Sequence, residues 1–311
     1  MKKNLFILTA AAVMLTGCGA DKNSAPDGGA YTFTDDLGRT VTVDSPQRTA
    51  ALLGSFADVW QLSGGNIVAA PNDAWIDFDF DLPEDVVNLG QMNELSMELL
   101  FSADPDFIIA SSNTRVDLDW LDTLESTGIP VAYFDVSDFD DYLRMLKICT
   151  DITGREDLYE TNGIEVQEQI DDVISRSESR KNDPPTVLSL RASAASIRAK
   201  NSKGNVLGEM LKNLGCVNIA DNNDSLLENL SMEYIIECDP DYIFFVQMGD
   251  DSEGMKKNVE QFVADNPPGQ ELSAVKSERV YFMDKKLYSL KPNSRWGEAY
   301  EKLEGILNEN G

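Results

Sequence analysis

Histidine is absent from this sequence of 311 residues. Its absence excludes the Ser-His-Asp and Cys-His mechanisms, because both use an imidazole as the general base. It also removes the commonest protein ligand of zinc. The sequence therefore disfavours most hydrolases and direct capture of a bare metal ion. We expect no intrinsic cofactor, and we expect any bound metal to arrive already chelated.

Cysteine is scarce, with four in the whole chain. Cys18 ends an apolar leader, and the three that remain, Cys149, Cys216 and Cys238, cannot all pair. No CxxC spacing occurs, which excludes a zinc knuckle and a redox motif. We predict buried free thiols, with one disulfide as the alternative outside the cell.

Basic residues are also few: 26 Lys and Arg stand against 54 Asp and Glu, and the formal net charge is −28. Proteins that bind nucleic acid must neutralise phosphates with cations. A chain this acidic is therefore excluded from that class. Its apolar fraction of 42% is nevertheless sufficient to build hydrophobic cores.

The only long apolar run is Leu5–Leu15, which is too short to span a bilayer as a helix. Lys2 and Lys3 precede it, as in the basic start of a secretory signal. Residues 1–17 are therefore predicted to be a signal peptide. This prediction places the mature protein outside the cytoplasm.

The leader ends in Leu15-Thr16-Gly17-Cys18, which resembles the bacterial lipobox. The resemblance implies that Cys18 is lipidated after cleavage and anchors the protein to the cell membrane. Up to Ala30 the sequence has no large apolar residue and cannot form a core. Residues 18–30 are thus predicted to be a lipidated cysteine with a flexible tether.

The remaining chain predicts an α/β fold with two lobes. Short apolar runs alternate with amphipathic segments over residues 31–152, and the alternation resumes over residues 184–311, which is typical of parallel α/β layers. Between them, residues 153–183 carry apolar positions at helical intervals and predict one long helix that joins two Rossmann-like lobes.

An internal repeat links the two lobes. Leu95–Ile109 (LSMELLFSADPDFII) aligns without gaps to Leu230–Phe244 (LSMEYIIECDPDYIF), with LSME and DPD identical. Each copy predicts a helix with Ser96 or Ser231 as its N-cap, which ends at Asp-Pro and is followed at once by a buried strand. The two lobes should therefore present matching corners.

These features resemble the substrate-binding proteins of the ABC importers for iron siderophores, cobalamin and haem, over about residues 46 to 305. The resemblance implies the class III periplasmic-binding-protein fold and a monomer that works with an ABC permease and its ATPase. It also implies that Glu98 and Glu233 dock into arginine pockets of the permease. The simpler alternative for each glutamate is a favourable interaction with the helix dipole.

Two stretches of the second lobe depart from the general acidity, and we expect them to contact the ligand. Residues 184–208 and 285–297 contain bases and no acid. Converging cations beside aromatic rings suit an anionic, conjugated ligand such as a ferric catecholate or carboxylate chelate. The alternative is that these are solvated loop charges. The candidate ligand-binding residues are Trp75, Arg191, Arg198, Lys200, Tyr288, Lys291 and Arg295.

Other ligands and functions remain open at this point. Haem would need an axial tyrosine, for which Tyr288 or Tyr133 are candidates, and cobalamin would need no cluster of cations. A secreted carbohydrate-active enzyme would use Glu98 and Glu233 as its paired carboxylates, and they would then lie within roughly 10 Å of each other across a cleft. A third possibility is a lipoprotein that signals or scavenges without a transporter.

Overall fold

The computed structural model describes residues 29–78, 83–249, 251–265 and 267–308, without the side chains of 263–265. The predicted signal peptide, Cys18 and most of the tether lie outside the described residues. Within the described part of the chain, no helix combines the length and the apolar character that crossing a membrane requires.

The first lobe holds a five-stranded parallel sheet flanked by helices. Its strands are β1 (Tyr31–Thr34), β2 (Thr40–Val43), β3 (Thr49–Ala51), β4 (Ile67–Ala70), β5 (Val87–Asn88), β6 (Gly90–Gln91), β7 (Glu94–Leu95), β8 (Phe107–Ser111) and β9 (Val131–Phe134). Its helices are α1 (Gly54–Leu62), α2 (Asp73–Asp77), α3 (Met97–Ser102), α4 (Arg115–Asp119), α5 (Leu121–Ser126) and α6 (Phe139–Thr153). The order in the sheet is β5-β4-β3-β8-β9, while β1-β2 and β6-β7 form two separate antiparallel pairs.

A helical run then connects the lobes. It consists of α7 (Glu156–Tyr159), a π-helical turn (Glu160–Ile164), α8 (Glu165–Ser177) and a 3₁₀ turn (Glu178–Asn182). The run begins at Glu156 because Gly154, with φ +69°, ends α6 in the left-handed conformation that glycine tolerates best. Thr153 therefore belongs to α6 rather than to the connecting helix.

The second lobe has a sheet in the order β11-β10-β13-β14, with β12 paired to β10. Its strands are β10 (Thr186–Ala192), β11 (Ile197–Lys200), β12 (Val217–Asn218), β13 (Tyr242–Gln247) and β14 (Val280–Met283). Its helices are α9 (Val206–Asn213), α10 (Asp224–Glu228), α11 (Met232–Cys238), α12 (Ser252–Asp265), α13 (Ser273–Lys276), α14 (Lys285–Tyr288) and α15 (Trp296–Asn308), with 3₁₀ turns at Pro267–Glu271 and Asn293–Arg295. Only β11 runs antiparallel to its neighbour in this sheet.

One hydrophobic core extends across both lobes. Alternate residues of β8 and β13 point to opposite faces, so Phe107 and Phe244 enter the shared core while Ile108 and Phe245 enter cores within one lobe. The lobes meet through α15, where Trp296 packs edge-on against Phe139 of α6 with ring centroids 6.1 Å apart. The shared core holds the two sheets in a defined relation.

All three cysteines of the folded part are free, as predicted. Cys149 and Cys216 are buried and Cys238 is partly buried. Burial raises the pKa of the Cys216 thiol to about 12, and it also raises the pKa of the Cys149 thiol well above its usual range. Both groups therefore remain protonated and act as small apolar residues.

Candidate functional site

The strands of both sheets end at a cleft between the lobes, where open parallel sheets generally bind their ligands. Among the described residues, Asp77 with Lys285, and Asn293 with Ser55 and Asp58, make polar contacts across this cleft. Lys285 Nζ lies 3.0 Å from Asp77 Oδ2, and both side chains are mostly buried. The amide of the fully buried Asn293 donates to the Ser55 carbonyl at 2.8 Å and to Asp58 Oδ2 at 2.7 Å.

The second lobe contributes a cluster of cations, Arg191, Arg198, Lys200 and Lys291, which we call the cationic wall. Arg191 and Arg198 stand directly opposite each other on β10 and β11, and Lys200 follows two residues later on the same side. Burial lowers the pKa of Lys200, and the charges of Arg191 and Arg198 lower it further. Burial and then the charge of Arg191 likewise lower the pKa of Lys291.

No ion pair is formed by any of these four side chains within the described ranges. Like charges directly opposite on neighbouring strands destabilise a sheet. Most other bases of the described chain have an acidic partner, as Arg180 has in Glu304 at 2.8 Å. The cationic wall therefore has positive charge that the protein itself does not balance by direct pairing.

The first lobe has carboxylates near the same cleft: Asp58 lines a cavity there, and Asp73 and Asp135 lie close enough to Lys291 to raise its pKa. We call these three, together with the fully buried Asp117 beside Asp73, the acidic wall. Burial raises the pKa of Asp58 to about 6, although the Asn293 amide and then Arg295 oppose the shift. Burial raises the pKa of Asp117 to about 7, against the Ser111 amide that donates to it at 2.7 Å. Within the described chain, one oxygen of Asp73 and one of Asp117 have no hydrogen-bond partner.

Two cavities are lined by residues of both lobes. The smaller, of about 110 Å³, is lined by Asp58, Asp77, Phe78, Lys286, Lys291, Pro292, Ser294 and Arg295. The larger, of about 520 Å³, is lined by Ile76, Asp77, Gln247, Ser252, Phe282, Met283, Asp284, Lys285 and Lys286. Because Asp77 and Lys286 line both, the two cavities adjoin.

The structure distributes the predicted ligand-binding residues unevenly. It brings Arg191, Arg198, Lys200 and Lys291 together, but Arg198 and Lys200 lie on the antiparallel edge strand β11, whereas the sequence suggested a loop. Arg295, at the end of the 3₁₀ turn before α15, lines the smaller cavity and pairs with Glu298 of that helix at 2.7 Å. That pair holds the pKa of Glu298 at about 2.

Neither of the two predicted aromatic contacts lines the two cavities. Tyr288 is buried, and its hydroxyl donates to the Ala299 carbonyl at 3.0 Å, so it forms part of the core. Trp75 on α2 is partly buried and packs against the shared core. The next residue, Ile76, lines the larger cavity together with Asp77 of the same helix, and the sequence analysis did not predict either contact.

Glu98 and Glu233 occupy matching positions on the two lobes. Each is exposed in the first turn of its helix, α3 or α11. The Ser96 and Ser231 hydroxyls cap these helices by accepting from the amides of Leu99 and Tyr234, both at 3.3 Å. Neither glutamate lines the two cavities between the lobes.

The DPD part of the repeat has a structural role that is also the same in both lobes. Asp106 accepts the amides of Gln47 and Arg48 at 2.8 and 2.9 Å, just before β3 begins. Asp241 accepts the amide and the hydroxyl of Thr186 at 2.8 and 2.9 Å, where β10 begins. In each lobe this aspartate therefore holds the start of the first strand of the sheet beside the strand that follows the DPD sequence.

The first aspartate of each DPD has a backbone conformation that is rare outside glycine, with φ +49° at Asp104 and +41° at Asp239. Asp239 also accepts hydrogen bonds from Ser273.

Among the described residues, no group of three or more acidic or cysteine side chains is placed to hold a metal ion.

The family model described as "Periplasmic binding protein" matches residues 50–287. No curated protein sequence matches the chain significantly. Similar solved structures include an ABC transporter substrate-binding protein from Listeria monocytogenes EGD-e, with 21% identity, a TM-score of 0.70, and coverage of 85% of this chain and 99% of that one.

Two other similar structures are described by their ligands. SirA of Staphylococcus aureus, complexed with staphyloferrin B, has 21% identity, a TM-score of 0.68, and coverage of 89% of this chain and 98% of that one. The periplasmic heme-binding protein RhuT of Roseiflexus sp. RS-1 has 18% identity, a TM-score of 0.69, and coverage of 85% and 98%. These likenesses establish the class III fold, and with the family match over residues 50–287 they show that the chain belongs to the periplasmic binding protein family.

Proposed function

We propose that this protein captures an anionic ferric chelate of the siderophore class outside the cytoplasm and delivers it to an ABC importer. Membership of a solute-binding family supports binding and transport rather than catalysis. The likeness to SirA with its staphyloferrin B supports a chelated metal as the ligand. The position of Glu98 and Glu233, exposed on separate lobes and outside the cleft cavities, speaks against paired catalytic carboxylates.

The cationic wall carries this proposal. Arg191 and Lys291 are largely withdrawn from water, so their charges are costly unless an anion compensates them. Arginines can bind carboxylate or catecholate oxygens through paired N–H donors. A ligand with several negative charges would relieve the repulsion between Arg191 and Arg198. Its oxygens would also replace the water molecules that these two side chains lose when the ligand binds.

Haem is the second candidate, because RhuT shares the fold. Haem iron needs an axial side chain, and this chain has no histidine. The two candidate tyrosines are both buried and committed to backbone carbonyls: Tyr288 donates to Ala299 and Tyr133 donates to Asp117 at 2.9 Å. These contacts favour a chelate that brings its own ligands to iron. Cobalamin gains little from a cationic wall.

The repeated glutamates and the start of the chain would serve delivery of the ligand to the permease and anchoring of the protein to the membrane. Glu98 and Glu233 each offer an exposed carboxylate to the same kind of arginine pocket on a permease with two related halves. Residues 1–17 would direct export, and Cys18 would be lipidated and hold the protein at the cell membrane through the tether over residues 18–30. Firm anchoring needs more than one acyl chain.

The experiment is isothermal titration of residues 24–311 with ferric siderophores of the catecholate and carboxylate classes, haem and cobalamin. We expect one anionic ferric chelate to bind with a Kd of about 1 μM or tighter, which corresponds to roughly −8 kcal/mol. Tighter binding of haem would instead establish the second candidate, and tighter binding of cobalamin would contradict the proposal. Failure of every ferric chelate to bind the folded protein would contradict the proposal.

A further inference from the structure

Among the residues that the structure describes, the two most exposed large apolar side chains line one cavity. Ile76 of α2 is 52% exposed and Phe282 of β14 is 49% exposed. Both line the larger cavity of about 520 Å³, one from each lobe. Single exposed apolar residues need no explanation, but two that meet across a concave space mark a binding site for an apolar group.

The Phe282 ring and the helix that carries Ile76 are held by contacts within the protein. The Phe282 ring stacks on Phe245 of the neighbouring strand, with centroids 5.4 Å apart and planes 19° apart. Ile76 precedes Asp77, whose carboxylate pairs with Lys285 at 3.0 Å across the cleft. A ligand group placed between them therefore costs little ordering of the protein.

The larger cavity lies near Lys291 of the cationic wall. It adjoins the smaller cavity through Asp77 and Lys286, and Lys291 lines that smaller cavity. Lys291 in turn is close enough to Arg191 for the charge of one to lower the pKa of the other. One bound molecule can therefore reach both the cations and the apolar pair.

The apolar pair is small, and charged residues such as Asp77 and Lys286 line the same cavity. This mixture favours a small amphiphilic molecule over a protein surface, which would need a larger apolar face. We infer that the ligand carries an uncharged apolar arm, which lies between Ile76 and Phe282 while its anionic chelating head lies on the cationic wall. This inference rests on the proposed function and adds the chemical class of the ligand's second half.

Two synthetic chelates separate the arm from the head. Ferric tris-catecholate and ferric tris(4-tert-butylcatecholate) have the same donor atoms and the same charge, and they differ only in an apolar substituent. Affinities are measured by calorimetry at pH 8.5 with matched excess catechol. One well-packed methylene or more in an apolar pocket changes affinity at least about tenfold. The wild-type protein should therefore bind the butylated chelate at least about tenfold more tightly.

The variant Ile76→Asn with Phe282→Ser should lose this advantage, so that the two chelates bind within about twofold of each other. Its Kd for the unsubstituted chelate should stay within about twofold of wild type. Val217→Ser is the control, because Val217 is 43% exposed on β12 near the amino end of β10, away from the cleft. Thermal unfolding followed by circular dichroism confirms that each variant is folded.

The outcomes separate this inference from the proposed function. If the unsubstituted chelate binds but the butylated one has no advantage, or if the advantage survives in the double variant, the apolar arm is refuted and the anionic ligand stands. If neither chelate binds the folded wild-type protein, the anionic site is refuted and the arm falls with it. Loss of the advantage in Val217→Ser as well would also overturn the inference.

Discussion

The two lobes repeat one design at their corners and differ in their cleft walls. Each lobe has a serine-capped helix with an exposed glutamate, and each has a DPD aspartate that fixes its first strand. Across the cleft, however, the first lobe presents buried carboxylates and the second presents unpaired cations. We propose that the repeated parts serve folding and docking to a permease with two related halves, while the unlike parts serve the bound ligand.

The largest effect should come from the repeated glutamates. Glu98→Ala with Glu233→Ala should abolish uptake of the ligand in cells and leave its Kd within about twofold, because both side chains are exposed and lie outside the cavities. Each single variant should retain partial uptake. Transport of radiolabelled iron chelate and calorimetry measure the two quantities.

Glu94→Ala with Glu237→Ala is the matched control, since these glutamates are also exposed and lie close to the same helices. Uptake by this control should equal that of wild type. Unchanged uptake in the Glu98 and Glu233 variant would show that the repeat has a structural purpose only.

The second effect concerns the unlike walls. Arg191→Gln with Arg198→Gln removes two charged donors, each worth about 2 kcal/mol, so affinity for a ferric chelate should fall roughly 30-fold per residue. Stability without ligand should rise by a few tenths of a kcal/mol, because like charges no longer face each other. Lys257→Gln on α12 is the control. Weakened binding together with reduced stability would indicate a merely structural role.

Much of this comparison was predictable from the sequence, because it depends on local patterns. Capped helices that end at Asp-Pro and buried strands give strong local signals, and the repeat itself located both glutamates. The alternation Ile197-Arg198-Ala199-Lys200 also has the period of a strand, but its charges suggested a loop instead. The cations that lie together were found because no acid interrupts their two stretches.

The remaining features depend on tertiary contacts. The Tyr288 hydroxyl meets a carbonyl on the following helix, which makes the ring a core residue. Asp77 meets Lys285 although they are 208 positions apart. Trp75 and Ile76 are neighbours, and only the packing of α2 decides that the smaller side chain faces the cavity. Residue type alone cannot assign these environments.

The third effect concerns pH and the acidic wall. The pKa of Asp58 is about 6 in the folded protein, above its ordinary value of 3.8, so the folded state binds this proton more tightly than the unfolded state. The stability that protonation of Asp58 contributes is fully present below pH 3.8 and is lost as pH rises through 6. The free energy of unfolding of Asp58→Asn, relative to that of wild type, should therefore increase by up to about 3 kcal/mol as pH rises from 4 to 7.

Urea unfolding of both proteins across this pH range measures the difference. Asp157→Asn is an informative control, because Arg155 lowers the pKa of the exposed Asp157 and the small effect should have the opposite sign. A difference between Asp58→Asn and wild type that does not change with pH would contradict the buried, proton-binding carboxyl.

The fourth and smallest effect tests the likeness of the lobes. Asp106→Ala and Asp241→Ala each remove two hydrogen bonds to one carboxylate, and each should destabilise the protein by about 2 kcal/mol. The two losses should agree within about 0.5 kcal/mol and should add in the double variant. Urea denaturation measures the free energy of unfolding of each variant. A large loss of stability at only one of the two sites would contradict the same structural role for the two aspartates.

The central claim is that the cationic wall of the second lobe selects a negatively charged chelate. Its most direct test compares, by calorimetry, ferric tris-catecholate with ferric tris(acetohydroxamate), which is uncharged. We predict that the charged complex binds at least about 100-fold more tightly at low salt, and that the difference shrinks as sodium chloride screens the exposed Arg198. Equal affinity for the two complexes, or tighter binding of the uncharged one, would contradict the account.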